Sequence, residues 1–134
     1  MRHDAQWDQD RFRQARVARL ATVSAVGSPH LVPITFAVDV PRLVTAVDGK
    51  PKSTTALRRL DNIAANPFVS VLVDEYDEDW TALWWARADG WARVVDDYDL
   101  APLVARYPQY EGQPPAGPVV VIEVDHWSGW SAAG

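Results

Sequence analysis

The chain contains no cysteine. That excludes disulfides, thiolate zinc sites, iron–sulfur clusters and cysteine nucleophiles, so any redox chemistry must come from a borrowed cofactor. Histidine is also scarce: only His3, His30 and His126 occur. None stands in a nucleophile elbow, a zinc spacing or a triad-like order, which disfavours hydrolysis by side chains alone. No run approaches the roughly eighteen apolar residues of a membrane-spanning helix, and Met1 to Asp10 is polar and acidic, unlike a signal peptide. A cytoplasmic location is expected. No G-x-G-x-x-G motif follows any strand-like segment, which argues against a Rossmann sheet. Positive charge is short as well. The net charge of −5 disfavours nucleic acid and anionic membranes as partners, because both require a broad basic field.

What positive charge there is gathers in one place. The only lysines, Lys50 and Lys52, sit in Gly49-Lys50-Pro51-Lys52-Ser53-Thr54, directly ahead of a segment where Leu57, Leu60, Ile63 and Ala64 recur at helical spacing. A helix N-terminus presents unpaired N–H groups and a partial positive charge. Two ammonium groups and two hydroxyls placed there suit a phosphate or carboxylate. Arg58 and Arg59 follow within the first two turns, where cations oppose the helix dipole unless a bound anion compensates them. Lysines also decorate exposed turns with no ligand at all, but the apolar face of the following helix anchors this loop.

The 134 residues, 48% of them hydrophobic, make one domain spanning residues 1–134 with no internal repeat. Asp4 to Ala18 can form a helix. Arg19 to Ala25 and His30 to Val38 read as the strands of a hairpin turning at Val26-Gly27-Ser28-Pro29. Further strands are expected at Leu43 to Val47, Phe68 to Val73, Thr81 to Val95 and Val119 to Val124. Helices are expected after the lysine loop, ending at Asn66-Pro67, and at Leu100 to Tyr107. Six strands at short spacing with small helices predict a mainly β fold, a closed antiparallel barrel.

The acidic stretch from Asp74 to Asp79 lacks the spaced oxygen ligands and central glycine of a calcium loop, so it reads as a solvated hairpin connection. No metal site is assigned. Seven tryptophans exceed what so small a barrel can bury, so some should line an interface or a flat ligand. His30 and His126 read first as satisfied polar residues, and Asp39, Asp48 and Glu123 carry no acid–base assignment. No catalytic side chain is identified.

Arg19-Leu20-Ala21-Thr22-Val23, Gly27-Ser28-Pro29-His30 and Val32-Pro33-Ile34-Thr35-Phe36, in that order, resemble the first hairpin of the flavin- and deazaflavin-binding split barrels related to pyridoxamine 5′-phosphate oxidase. The lysine loop with Asn62-Ile63, Asn66-Pro67 and Val69 to Val73 resembles that family's phosphate-binding segment and the strand beyond. Tyr76 to Trp80, Leu83-Trp84-Trp85, Arg87, Gly90-Trp91-Ala92, Tyr107 to Tyr110 and Trp127-Ser128-Gly129-Trp130 are similar to a narrower subgroup, the probable coenzyme F420-dependent enzymes of actinobacteria. The segment from Val94 to Leu103 departs from the pattern by being shorter than the family's usual helix there.

The resemblance implies a six-stranded antiparallel split β-barrel with flanking short helices, of the FMN-binding type. It further implies a homodimer with cofactor sites at the subunit interface. Lys50, Lys52, Ser53 and Thr54 would hold a cofactor phosphate, with Arg58 assisting or reaching the acidic tail of a deazaflavin. Backbone groups of Pro33, Ile34, Thr35 and Phe36 would lie along the ring, and Trp84, Trp85, Trp127 and Trp130 could wall the pocket. Arg58, Arg59 and Arg87 favour coenzyme F420 over FMN. The activity implied is hydride transfer from reduced deazaflavin to a small molecule. Two alternatives are an FMN-dependent oxidoreductase and a non-catalytic cofactor- or haem-binding barrel with His30 or His126 as an axial ligand.

Overall fold

The computed structural model describes residues 1–47 and 54–133, with residues 54–57 described as helix backbone only. Helix α1 spans Ala5–Gln14, shorter than the expected Asp4 to Ala18. Asp4 caps it by accepting from the Trp7 N–H at 2.9 Å, which satisfies one of the orphan donors of the first turn. The chain turns extended at Ala15 because Ala18 already belongs to the sheet.

Strands β1 (Ala18–Val23) and β2 (Pro29–Ile34) form the predicted hairpin. Gly27 closes its turn with φ +86°, a conformation that side chains disfavour. The second strand does not continue to Val38. At Thr35 and Phe36 side chains take over the backbone groups that a ladder would use. The Phe36 N–H donates to Tyr107 Oη at 3.1 Å, and the Thr35 carbonyl accepts from Thr45 Oγ1 at 2.7 Å. A separate strand β3 (Ala37–Asp39) follows, so the barrel has seven strands where the sequence predicts six.

Strand β4 is Arg42–Ala46, α2 is Thr54–Ala65, β5 is Phe68–Glu75, β6 is Trp84–Val95, α3 is Ala101–Arg106 and β7 is Val119–Ser131. A 3-10 turn at Trp80–Ala82, capped by Asp79, takes the first residues of the predicted fifth strand. All pairings are antiparallel, in the order β2-β1-β5-β6-β7-β4-β3. Strands β2 and β3 end this order, yet only Thr35 and Phe36 separate them in sequence. Residues from both ends of the order, Val32 and Ile34 of β2 and Leu43 of β4, meet in one core, so the sheet curves into a split barrel whose edge strands β2 and β3 do not pair with each other among the described residues.

Its interior holds Leu20, Val32, Ile34, Val71, Val73, Ala86, Ala88, Val120 and Ile122, with Phe12 of α1 covering it. Strand β6 bends at a bulge between Asp89 and Gly90. A Cβ on Gly90 would fall 2.1 Å from the Glu123 carbonyl oxygen, so only glycine permits that close approach. The tail expected to follow a strand ending at Val124 is instead strand: Trp127, Ser128, Gly129 and Trp130 pair with Ala88, Arg87, Ala86 and Trp85. No described helix is long and apolar enough to cross a membrane.

Candidate functional site

A cleft of about 540 Å³ opens between the β1–β2 turn and helix α2, lined by Ser24, Ser28, Pro29, His30, Arg58, Asp61 and Asn62. Its floor is fixed by a buried hydrogen bond, Asn62 Nδ2 donating to Thr22 Oγ1 at 3.0 Å, which locks α2 to β1. Its turn is fixed by Ser24, whose N–H and Oγ both bond to Ser28. Arg58 is exposed on α2 at the rim. His30 Nδ1 is buried with no partner among the described residues. Such an atom costs free energy unless a ligand or water completes it. Arg59, one residue on, has its Nε likewise buried and unpartnered, and desolvation lowers its pKa from the usual guanidinium range.

The arrangement offers an anion an exposed guanidinium at the rim, the hydroxyls of Ser24 and Ser28, and an imidazole nitrogen with no partner among the described residues. Lys50, Lys52 and Ser53, the core of the predicted phosphate loop, lie outside the described residues, and Thr54 is described only as helix backbone. Arg58 is thus the one member of that predicted cluster whose side chain the structure places, and it places it in this cleft.

The stretch predicted to face a ring is mostly engaged within the chain. The side chains of Ile34 and Phe36 are in the core. Thr35 Oγ1 lies 2.6 Å from Tyr110 Oη, and the Phe36 N–H and carbonyl both meet Tyr107 Oη. Pro33 is the exposed member, on the outer face of β2.

The four tryptophans proposed to wall one pocket divide between two faces of the sheet, as alternation along β6 and β7 requires. Trp84 and Trp127 pack toward the core beneath α1, Trp84 edge-on to Trp7 at 6.4 Å and Trp127 edge-on to Phe12 at 5.5 Å. Trp85 and Trp130 stand opposite one another on the outer face. Nor is the Trp84–Trp85 end near the cleft along the ladder: Glu75 and Asp74 pair with them, whereas the cleft end of β5 is Phe68, paired with Trp91.

Phe68 and Trp91 are the aromatic pair that sequence reasoning missed. Their rings meet at 5.0 Å, both are half exposed, and Trp91 Nε1 donates to Asp125 at 3.2 Å. The available signal was their place at the outward positions of β5 and β6. Leu31, 65% exposed, lies on the same outer face two strands away, in the row of Ala21 and Ser70. Beside Trp91, Glu123 bridges Arg42 and Arg93 at 2.7 and 3.0 Å, and its hydrogen bond to Arg42 holds its carboxyl below the usual carboxylate range.

The family model described as pyridoxamine 5′-phosphate oxidase matches residues 8–131. A 5a,11a-dehydrotetracycline/5a,11a-dehydrooxytetracycline reductase of Streptomyces rimosus is 39% identical over 64 residues, 48% of this chain and 44% of that protein. The matched stretch thus spans under half of the curated relative. Among solved structures, a conserved hypothetical protein of Mycobacterium tuberculosis superposes with a TM-score of 0.76 at 21% identity, covering 97% of this chain and 86% of that one. An FAD-binding protein of Mesorhizobium loti superposes with a TM-score of 0.73 at 20% identity, covering 96% and 95%. At these identities the structures share the fold.

Proposed function

Because the chain belongs to the pyridoxamine 5′-phosphate oxidase family, we propose that it is an oxidoreductase that holds a flavin-type redox cofactor, with the deazaflavin coenzyme F420 preferred over FMN. The observation that supports this reading is the cleft between the β1–β2 turn and α2, lined both by Arg58 and by His30, whose Nδ1 has no partner among the described residues. These residues fit the anionic end of such a cofactor. Arg58 supplies a charged donor, the serine hydroxyls are adaptable donors, and Asn62, held by Thr22, keeps α2 in register with the hairpin. The cluster of Arg58 and Arg59 behind two lysines favours a cofactor with charge beyond one phosphate, which supports F420.

When bound, the cofactor supplies the hydride chemistry. The protein's part is to anchor the anionic end, orient the ring and exclude water from it. No described side chain is required as an acid or base. The relative that reduces dehydrotetracyclines supports reduction of an unsaturated small molecule as the direction. The outer face carrying Leu31, Phe68 and Trp91 is apolar enough to meet a second copy, which supports a homodimer with ring and substrate between subunits.

The test is a side-by-side calorimetric titration of the purified protein with F420, FMN and FAD. Tight F420 binding with weak FMN and FAD binding is expected. The reverse preference moves the chain to the flavin branch, and a haem absorption band in the purified protein with no binding of the three removes the redox reading.

A further inference from the structure

At the other end of the β5–β6 ladder lies a second cleft, about 220 Å³, lined by His3, Trp7, Arg11, Thr81, Ala82, Leu83, Trp84, Ser131 and Ala133. It is remote from the α2 cleft in register, since Trp84 pairs with Glu75 and Ser131 while the α2 cleft adjoins the Phe68 end. Its centre is Arg11. The guanidinium carbon sits 4.6 Å from the centroid of Trp7 and 5.3 Å from that of Trp84. His3 stacks on Trp7 at 3.7 Å with planes 9° apart, and His3 Nε2 lies 2.7 Å from Ser131 Oγ. The two indoles are fixed in turn: they meet edge-on at 6.4 Å, and Trp84 Nε1 donates to Glu75 at 3.0 Å.

The guanidinium sits at cation–π distance from two indoles that stand edge-on to each other, contacts that position it without supplying a hydrogen-bond acceptor to its N–H donors. Those donors are nearly idle here. Among the described residues, Arg11 joins no salt bridge, its one side-chain partner is Gln14 at the long distance of 3.5 Å, and its Nε is buried without a partner. The other α1 arginine, Arg13, does pair, with Asp10 at 2.9 Å. A guanidinium fork is the donor geometry that matches two carboxylate oxygens. The cleft is below the roughly 300 Å³ at which drug-sized ligands begin, and apolar Leu83, Ala82 and Ala133 share its wall with polar Thr81 and Ser131, so the body of the ligand must be small.

We propose that this cleft is a binding site for a small organic carboxylate, held by the N–H donors of Arg11 beside Trp7 and Trp84. The site is independent of the cofactor cleft and of the preference between F420 and FMN.

The experiment is an NMR titration of the full chain with benzoate at constant ionic strength, following the indole N–H signals of Trp7 and Trp84, assigned with Trp7→Phe and Trp84→Phe. Both signals are expected to shift saturably, with those of Trp85 and Trp91 unmoved. In Arg11→Gln, which keeps a planar side chain, affinity should fall roughly tenfold to a hundredfold, the loss expected for charge-assisted hydrogen bonds. Arg11→Lys should fall between the two, since it keeps the charge without the fork. Circular dichroism of each variant confirms that α1 is still folded, and the wild-type titration alone decides the proposal if a variant is not. Absence of saturable shifts in the wild type, or equal affinity in Arg11→Gln, overturns it. Inorganic phosphate in place of benzoate separates carboxylate selectivity from general anion attraction, and equal binding of phosphate would also overturn the proposal as stated.

Discussion

The Asp8 carboxylate occupies the space that a side chain at Gly129 would need: a Cβ built on Gly129 falls 2.0 Å from Asp8 Oδ1 and 2.9 Å from the Trp7 ring. Helix α1 is therefore seated on β7 through a notch that only glycine leaves open. Asp8 itself is fully buried, and neither of its oxygens has a hydrogen-bond partner among the described residues.

Gly129→Ala should unseat α1. An added methyl cannot coexist with Asp8 and Trp7 in their present places, and overpacking of this kind typically costs about 1 to 3 kcal/mol. A lower denaturation midpoint and faster hydrogen exchange of α1 amides are expected. An unchanged midpoint would show that the helix sits elsewhere in solution.

Asp8 should also make stability depend on pH. Burial, with repulsion from Asp4 second, raises its pKa from 3.8 to about 6, while His126 opposes the rise. The folded chain therefore holds this proton more tightly than the unfolded one. The stabilisation by neutral Asp8 is complete below about 3.8 and is lost as pH climbs through about 6. Asp8→Asn keeps the shape without the charge, so at pH 7 it should be more stable than wild type by about 2 to 3 kcal/mol, the two converging toward acid pH. Urea denaturation of both at pH 4, 5, 6 and 7, roughly spanning that transition, reads the difference directly. A pH-independent gap would mean that Asp8 is not the titrating group.

Tyr107 ties three separate segments together. Its hydroxyl accepts from the Phe36 N–H at 3.1 Å and stands 3.0 and 3.2 Å from the carbonyls of Arg16 and Phe36, one of which takes its proton. Tyr107→Phe removes the hydroxyl and leaves the buried Phe36 N–H without its acceptor, at a cost of about 1 to 3 kcal/mol. Thermal unfolding should show the loss, with the β2–β3 junction the first place to gain hydrogen exchange.

That junction also marks where sequence pattern stops being informative. Alternation identifies β1, β5 and β6 to within a few residues because one face of each lies in the barrel core. It runs straight through Thr35 and Phe36, since a break imposed by a tyrosine seventy-one residues away leaves no local trace. The β7 extension was hidden for the opposite reason. Trp127 to Ser131 carries glycine and serine instead of branched residues, and it is strand because Trp84 to Ala88 offers a partner ladder. The concentration of lysine and arginine was legible as charge against an acidic background; of it Arg58 lines a cleft, while Lys50 and Lys52 lie outside the described residues. The burial of His30 Nδ1 and the pairing of Phe68 with Trp91 depend on how strands β1, β2, β5 and β6 align, which no single segment encodes.

Arg58 gives the cleanest test of the cofactor cleft, because its side chain is exposed and joins no salt bridge among the described residues, so its removal should not disturb folding. Arg58→Ala is expected to weaken binding of an anionic cofactor by roughly tenfold or more, since each charge-assisted contact is worth about 1.5 to 3 kcal/mol. Lys50→Ala with Lys52→Ala should weaken it further, and raising the salt concentration should narrow all of these differences, because exposed charges are screened. His30→Phe separates the two halves of the cleft: it removes the unsatisfied Nδ1 without altering the net charge contributed by arginine and lysine. If Arg58→Ala and the lysine double variant both bind as wild type does, the anion enters elsewhere. If they lose affinity while His30→Phe keeps it, the imidazole is a wall of the cleft and the cationic rim holds the ligand.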